Sequence, residues 1–382
     1  MPRPTDAIVT GFTKNGELCV RAFASLLQLR QEGAIRAIHY VTWDSGEIDA
    51  FVAPVAQMDG VTITRVPQPV ASGNANQRGI VYQVRNLDAA LACIPQGDAL
   101  VVKLRPDFVF APDFLRNKLR DFDRLCMAPA GATAWGVKLP RLPLLRKIWI
   151  PWADAGQPFF YEDAAFIGLK GDIARLAIGD VERAAGLLGD MSCGSLAHVL
   201  RYVDMALPRF PIFRRYIENY GAFANDLDYR RKLVAMAMAD SFFWHLIVAH
   251  AWILWTSFHI DCGTQGELSF FPNTANAGSD WRAFDQLKLA PPYDYIAQWR
   301  NGTRAGEAVL PCLLRIYARL MDDAWPKSLF TQSHNDIRVD RLKTLAQGVA
   351  DYAGGALGGI EDTFYAKLAA FHREHWRARE AA

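Results

Sequence analysis

Short apolar runs alternate with amphipathic segments through the first 130 residues. The short runs are typical of strands, and the longer segments repeat their apolar side chains at a helical spacing. The predicted strands are 7–10, 37–42, 61–66, 99–103 and 125–128, and the predicted helices are 19–31, 47–58, 79–93 and 113–122. Alternation of this kind predicts an α/β fold, with a mainly parallel sheet and helices on both of its faces.

The fourth predicted strand runs into three charged side chains, Lys103, Arg105 and Asp107. They would share one face of the strand if the extended backbone continued to Asp107. Charged groups are rarely buried unpaired, and ligands of open α/β sheets lie beyond the carboxyl ends of the strands. The pattern therefore predicts a polar ligand site here. For Asp107, a helix cap or a salt bridge to Arg105 is the structural alternative.

The first two predicted strands also end in polar residues. Thr10 and Gly11 open a small polar loop that suits nucleotide binding by hydrogen bonds, although many α/β proteins have such a loop. Asp44 follows the second strand and could accept a hydroxyl of a ribose or a base; the alternative is a cap for the helix near residue 47. Arg78 is a candidate phosphate ligand, because guanidinium groups bind phosphate through two hydrogen bonds.

Three motifs in order, Thr42-Trp43-Asp44, Asn74–Arg78 and Lys103–Asp107, resemble the WavE-like lipopolysaccharide-synthesis proteins over roughly residues 5–175. These are bacterial proteins described as glycosyltransferases. The resemblance implies a GT-A-like nucleotide-sugar domain over 1–175 and a mostly helical acceptor or support region over 176–382. It also implies a sugar transfer to a surface glycan, lipopolysaccharide or capsule. The implied donor-binding residues are Thr10, Gly11, Asp44, Asn76, Arg78, Lys103, Arg105 and Asp107.

GT-A enzymes usually carry two acidic residues at this strand end, and these hold a Mg²⁺ or Mn²⁺ ion on the donor diphosphate. Arg105 stands at the first acidic position, which leaves Asp107 as the metal ligand that the resemblance implies. A guanidinium would repel a metal ion and attract phosphate directly. Metal dependence therefore stays open, as does a donor with a single phosphate such as a CMP-sugar.

Glu162 and Asp163 precede an apolar segment that reads as a helix, and they resemble the acidic element of GT-A transferases. In inverting enzymes of that class a carboxylate removes the proton of the acceptor hydroxyl. The resemblance implies Asp163 as that base, with Glu162 as the second choice. The structural alternative is that both acids simply favour a helix N-terminus.

Composition limits the other function classes. A net charge of +2 provides no global field for nucleic acid. The six cysteines form no C-x-x-C pair, which argues against a zinc ribbon or a disulfide framework. The first residues lack the apolar core of a signal peptide, and a cytoplasmic protein is expected. Two further functions stay open: a nucleotidyltransferase that makes an activated sugar, and a non-catalytic protein that binds or assembles sugars.

Two segments raise the question of membrane contact. The segment 242–258 is apolar but short for spanning a bilayer, so a buried helix is expected. Lys138–Trp152 mixes basic residues with Leu, Ile and Trp. It predicts either an ordinary packed loop or peripheral contact with a membrane surface or a lipid-linked acceptor.

Overall fold

The computed structural model describes residues 3–11, 16–45, 49–70, 75–95, 97–128, 133–134, 137–138, 144–151, 165–175, 257–260 and 268–270, with residues 343, 344, 347 and 370 in isolation. The six described helices are α1 (Gly16–Gln31), α2 (Asp49–Ala56), α3 (Ala75–Ala92), α4 (Pro112–Arg120), α5 (Phe122–Leu125) and α6 (Lys170–Arg175). The first four strands are β1 (Thr5–Thr10), β2 (Ala37–Trp43), β3 (Val61–Val66) and β4 (Leu100–Leu104). The others are β5 (Phe108–Phe110), β6 (Thr133–Ala134), β7 (Val137–Lys138), β8 (Ile148–Ile150), β9 (Ala165–Leu169), β10 (Phe258–Ile260) and β11 (Leu268–Phe270).

Seven of these strands form one sheet in the order β10-β8-β9-β4-β1-β2-β3. Each neighbouring pair is parallel except the two pairs that β9 makes with β4 and β8. β1 and β4 are buried along their whole length, as expected of central strands in a parallel sheet covered on both sides. The predicted α/β class with a mainly parallel sheet is confirmed.

The two faces of this sheet are covered by different helices. Val9 of β1 and Tyr40 of β2 lie opposite each other and belong to the apolar cluster that contains Phe23 and Leu26 of α1. Ile8 precedes Val9 on β1 and is buried on the opposite face of the sheet, because side chains alternate along a strand. α3 contacts β1 and β2 and buries Leu87 outside that cluster. The central strands are therefore packed between α1 and α3.

Some predicted elements between β4 and β8 are wrong. The expected strand at 125–128 is instead the end of α5 followed by irregular chain. Phe122 and Cys126 are both buried and are four residues apart, a spacing that places them on one face of a helix. The expected helix 113–122 is interrupted at Asp121. The short strand β5 was not predicted, since a run of three apolar residues is too short to show a period.

The region after residue 175 lies mostly outside the described residues, including the apolar segment 242–256. Two strands from this region are described. β10 pairs with β8 at the edge of the main sheet, and β11 pairs antiparallel with β5. In the part of the chain that the structure describes, no helix is long and apolar enough to cross a membrane.

Candidate functional site

The strand order reverses direction between β1 and β4. The chain runs from β1 outward to β2 and β3, and then returns to the other side of β1 to form β4. Helices from the two sides diverge at such a point and leave a crevice beyond the carboxyl ends of the strands, which is where open α/β sheets bind ligands. The residues that follow β1 and β4 therefore occupy the most favourable position for a ligand in this sheet.

Gly11 lies at this crevice, directly after β1. Its φ of +97° is unfavourable for residues with a side chain, and apart from its chain neighbours no atom of the described residues lies within 4 Å of the position that a Cβ would take. The preceding Thr10 is buried and pairs with Val41 of β2. The backbone at Gly11 is therefore open to a ligand on the side of the described residues. Residues 12–15 of the loop lie outside the described residues, and the nucleotide-binding role of this loop stays a prediction.

Arg105 and Asp107 form a two-point ion pair just beyond β4. The Arg105 Nε donates to Asp107 Oδ1 at 3.1 Å, and Nη2 donates to Oδ2 at 2.7 Å. The carboxylate is buried, whereas about a third of the Arg105 side chain is exposed. The salt bridge that the sequence left as the structural alternative for Asp107 is thus present. The expectation that Arg105 binds phosphate and forms no ion pair within the protein is therefore wrong as to the ion pair.

Lys103 does not share a face with Asp107, because the extended chain stops at Leu104. A turn closed by the hydrogen bond from Phe108 N–H to Arg105 O follows immediately. Lys103 lies opposite Ile8 on the face away from α1, buried, with its Nζ 5.3 Å from the centre of the Phe166 ring. The prediction of one shared charged face is wrong, and only Arg105 and Asp107 remain together.

A buried polar group that the sequence did not single out lies next to Asp107. Burial, and then the negative charge of Asp107, raise the pKa of the Cys19 thiol on α1 to about 12. Burial, and then the neighbouring Cys19, also raise the pKa of Tyr40. The nearby Thr42 hydroxyl acts in the opposite direction and lowers the pKa of Tyr40. Both hydroxyls are buried, and neither is within hydrogen-bonding geometry of a partner among the described residues. α1 thus starts close to the Arg105–Asp107 pair, with two unsatisfied hydroxyls beneath it.

The Thr42-Trp43-Asp44 motif at the end of β2 divides into two parts. Thr42 and Trp43 are buried, and the Trp43 ring packs against Tyr82 of α3 with centroids 5.5 Å apart. Asp44 is exposed, and its N–H donates to Val66 O at 2.8 Å, at the same edge of the sheet. Asp44 is therefore the residue of this motif that is accessible to a ligand. Residues 46–48, between Asp44 and the start of α2 at Asp49, lie outside the described residues, so the helix-cap alternative stays open.

The predicted loop at Asn74–Arg78 is wrong for most of its length. α3 begins at Ala75, so Asn76 and Arg78 lie in its first turn. The helix follows β3, and its first turn therefore starts from the carboxyl edge of the sheet. Backbone N–H groups of a first helical turn have no partner within the helix and favour anions. The side chains of Asn76 and Arg78 lie outside the described residues, and their donor role stays a prediction.

The segment after Asp163 is the strand β9 and not the helix that was expected. Ala165 lies opposite Leu104 and β9 runs antiparallel to β4, so β9 begins at the carboxyl edge where β4 ends. Glu162 and Asp163 themselves lie outside the described residues. The helix that the alternative required does not form, because the described residues that follow the two acids, Ala165–Leu169, are a strand. Their role as catalytic groups stays a prediction.

The described residues do not fit a divalent metal ion at Asp107. Both carboxylate oxygens accept hydrogen bonds from Arg105, and a cation there would face that guanidinium. Among the described residues, no group of three His, Cys, Asp or Glu side chains could hold a metal. The implied role of Asp107 as a metal ligand finds no support in this geometry, and no chemical step is assigned to a metal here.

Cys19 is expected to resist alkylation in the folded protein. Its buried thiol, with a pKa of about 12, carries almost no thiolate near neutral pH. Native labelling with iodoacetamide, read by peptide mass spectrometry, should modify the half-buried Cys93 well before Cys19, and unfolding should remove the difference. Labelling of Cys19 as fast as Cys93 in the native state would contradict the closed packing around Asp107.

No protein-family model and no curated protein sequence matches this chain. Among solved structures, the chain is similar to a mannosyltransferase, PcManGT from Pyrobaculum calidifontis, determined in complex with GDP-Man and Mn²⁺. That match has a TM-score of 0.34 and 12% sequence identity, and it covers 97% of this chain and 85% of the other. A likeness at this level identifies neither a substrate nor a metal for this chain.

Proposed function

We propose that this protein is a glycosyltransferase that takes a sugar from a nucleotide-sugar donor bound at the carboxyl edge of the sheet. The acceptor we propose is a growing bacterial surface glycan, lipopolysaccharide or capsule, assembled in the cytoplasm, as the resemblance to the WavE-like proteins implies. The observation that carries the proposal is the reversal of strand order between β1 and β4, with Gly11 after one strand and the Arg105–Asp107 pair after the other.

The crevice suits a nucleotide in size and chemistry. Adjacent strands are about 4.8 Å apart, so the ends of β4, β1 and β2 span roughly 10 Å. Asp44 at the β2 end is exposed and can accept hydroxyl hydrogens of a ribose or base. Gly11 at the β1 end leaves the backbone accessible. Arg105 at the β4 end supplies a partly exposed cation for phosphate.

Arg105 has two anionic partners in this proposal. Without donor it is held by Asp107, which keeps the guanidinium at the crevice and satisfies a buried carboxylate. When the donor binds, its phosphate competes for the same two N–H groups. Asp107 is then a positioning residue, because it acts through Arg105.

Asp163 is the proposed base. During transfer, the acceptor oxygen bonds to the anomeric carbon while the bond from that carbon to the donor phosphate breaks. The acceptor hydroxyl proton passes to the Asp163 carboxylate, and the nucleotide departs with the bonding electrons. Asp163 precedes Ala165 by two residues, and Ala165 starts β9 opposite Leu104 at this edge. That position supports an approach to the sugar from the β9 side, with Glu162 as the second choice.

A thermal-shift screen of UDP-, GDP-, dTDP- and CMP-sugars tests the function directly. A ligand that binds only the folded state at 100 times its Kd adds about 2.7 kcal/mol of stability, which gives a clear shift for a true donor. Hydrolysis or transfer of the bound donor, measured with Mn²⁺ and with a chelator, then separates the alternatives. Binding without turnover would favour a sugar-binding or assembly protein. Formation of a nucleotide-sugar from a sugar phosphate would favour a nucleotidyltransferase. No binding of any of these donors would contradict the proposal.

Arg105→Lys is expected to weaken donor binding by about tenfold or more. Lysine keeps the charge but loses the planar pair of donors, and a hydrogen bond to a charged group contributes about 1.5–3 kcal/mol. Arg116→Lys is the matched control, because Arg116 also pairs with a carboxylate, that of Glu32, on the surface of α4. Calorimetric titration with the donor gives the Kd of each variant.

Asp107→Asn separates a phosphate role for Arg105 from a purely structural one. If Arg105 moves to the phosphate, removing its competitor should leave donor affinity unchanged or higher. If the Arg105–Asp107 ion pair only stabilises the turn from Arg105 to Phe108, Asp107→Asn should weaken donor binding as much as Arg105→Lys does. The second result, or unchanged affinity in Arg105→Lys, would contradict the assignment of Arg105.

A further inference from the structure

The opposite edge of the sheet carries an exposed patch that combines apolar and basic side chains. We call it the amino-edge patch, because it surrounds the residues that precede β1 and β8. It consists of Arg3, Arg124, Met127, Leu145, Arg146 and Lys147. Met127 and Leu145 are 54% and 59% exposed, and the only other large hydrophobic side chain so exposed in the described part of the chain is Val70. A close pair of exposed large apolar residues marks an interaction surface more strongly than a single one does.

The two apolar side chains are held in place by the fold. The Lys147 N–H donates to Met127 O at 3.2 Å, which sets the two chain segments side by side. The N–H groups of Leu145 and Arg146 donate to the two carboxylate oxygens of the buried Asp172, at 2.8 and 2.9 Å. Leu144 is buried beneath them. Leu145 is therefore presented outward by a turn that is anchored on both sides.

The charge around these two side chains is positive. Asp123 is shared by Arg3 at 3.0 Å and Arg146 at 3.5 Å. Asp121 is likewise shared by Arg120 and Arg124. With Lys147, the described residues in and beside the patch carry five cations and two carboxylates, a sum of +3; Arg120 lies beside the patch and is not a member of it. Asp172 does not reduce the positive charge at the surface, because its carboxylate is buried and lies 4.0 Å from Arg175. Lys147 is only partly exposed, and burial lowers its pKa to about 8.

We infer that the amino-edge patch binds the surface of a membrane that contains anionic phospholipids. Basic residues attract the negative surface of such a membrane, and the two apolar side chains can enter its interfacial layer. Two apolar residues are too few for a stable protein interface, which buries about 800 Å² per partner. A lipid surface requires no matching shape, so diffuse charge with two insertion points suffices.

This inference also narrows the membrane contact that the sequence predicted for Lys138–Trp152. Ile148, Trp149 and Ile150 form the buried strand β8 and are not accessible to lipid. Leu145, Arg146 and Lys147 are the part of that segment that reaches the patch. Of the other members, Arg124 lies in α5, Met127 lies two residues after α5, and Arg3 lies two residues before β1. The patch does not depend on the proposed enzymatic function, since it lies at the other edge of the sheet.

Sedimentation of the full chain with lipid vesicles tests the inference. We expect binding to vesicles of phosphatidylcholine mixed with phosphatidylglycerol, little binding to phosphatidylcholine alone, and release at high salt. Arg124→Gln should lower the partition coefficient by about fivefold, since one basic residue near an anionic surface contributes about that factor. Arg21→Gln is the matched control, because Arg21 is exposed on α1 and outside the patch.

The apolar part is tested with Leu145→Asp and Met127→Asp, each of which should reduce vesicle binding by more than Arg124→Gln does. Val70→Asp is the matched control, because Val70 is fully exposed and far from the patch in the chain. Its binding should equal that of the unchanged protein. Failure to bind anionic vesicles would overturn the inference, as would binding that survives the patch substitutions. Binding of RNA or duplex DNA that is lost in Arg124→Gln, without vesicle binding, would also overturn it.

Discussion

Asp163→Asn is expected to slow glycosyl transfer by about 10²–10⁴-fold while donor affinity stays nearly unchanged. The substitution keeps the size of the side chain but removes its ability to accept the acceptor proton, and general-base catalysis typically contributes a factor of this size. Because the proposed base acts on the acceptor, the loss should appear in turnover and not in donor Kd. Single-turnover kinetics with saturating donor and acceptor measure the chemical step directly.

Glu162→Gln is the matched control for this prediction, because Glu162 is the neighbouring acid. A larger loss in Glu162→Gln would exchange the two roles. Weaker donor binding in Asp163→Asn, with turnover preserved, would make Asp163 a donor ligand. Retention of the anomeric configuration in the product would remove the need for a base of this kind. Full activity in both variants would contradict the proposed role of either acid.

Asp6→Asn is expected to destabilise the protein by about 3 kcal/mol. Asp6 is fully buried at the start of β1, and its carboxylate accepts two hydrogen bonds from Arg36, at 3.0 and 2.5 Å. Breaking a buried ion pair costs about 3–5 kcal/mol, and the lower value applies because Arg36 is partly exposed and can be hydrated. Urea denaturation of the two proteins gives the difference in the free energy of unfolding.

Asp123→Asn is the control for this pair. Asp123 also pairs with an arginine, Arg3 at 3.0 Å, but its side chain is 59% exposed. Surface ion pairs contribute about 0–1 kcal/mol, so this variant should stay within that range. Equal losses in the two variants would show that burial of Asp6 does not set the strength of its pair.

The sequence predicted the parts of the fold that depend on local pattern. The strand 61–66 was predicted with its observed bounds, and β1, β2 and β4 were placed within about two residues, because apolar runs between polar loops mark buried strands. The segment 165–169 shows the limit of this reasoning. Five apolar or small residues in a row fit a short buried strand or part of a helix equally well, and periodicity cannot separate them.

The candidate site stays a prediction, and the structure adds only where its residues lie. The charged end of β4 is at the reversal of strand order, which the sequence did not predict. The separation of Lys103 from Asp107 could not be predicted, because it depends on where the strand stops and a turn begins. The proximity of Cys19 to Asp107 and to Tyr40 depends on how α1 packs on the sheet. The three residues are far apart in the sequence and carry no common motif that could have predicted it.

The reversed direction of β9 affects how freely the connection between β8 and β9 can change in length and sequence during evolution. β8 ends at Ile150 and the neighbouring β9 starts at Ala165, both at the carboxyl edge of the sheet. The connection 151–164 thus begins and ends on adjacent strands and need not cross the sheet. Because closing a longer loop adds only about 0.6 kcal/mol per doubling of its length, this segment can be lengthened, shortened or exchanged while the strands keep their pairing. In the proposed glycosyltransferase, acceptor preference could therefore change through this segment without a new scaffold, as long as Glu162 and Asp163 are kept.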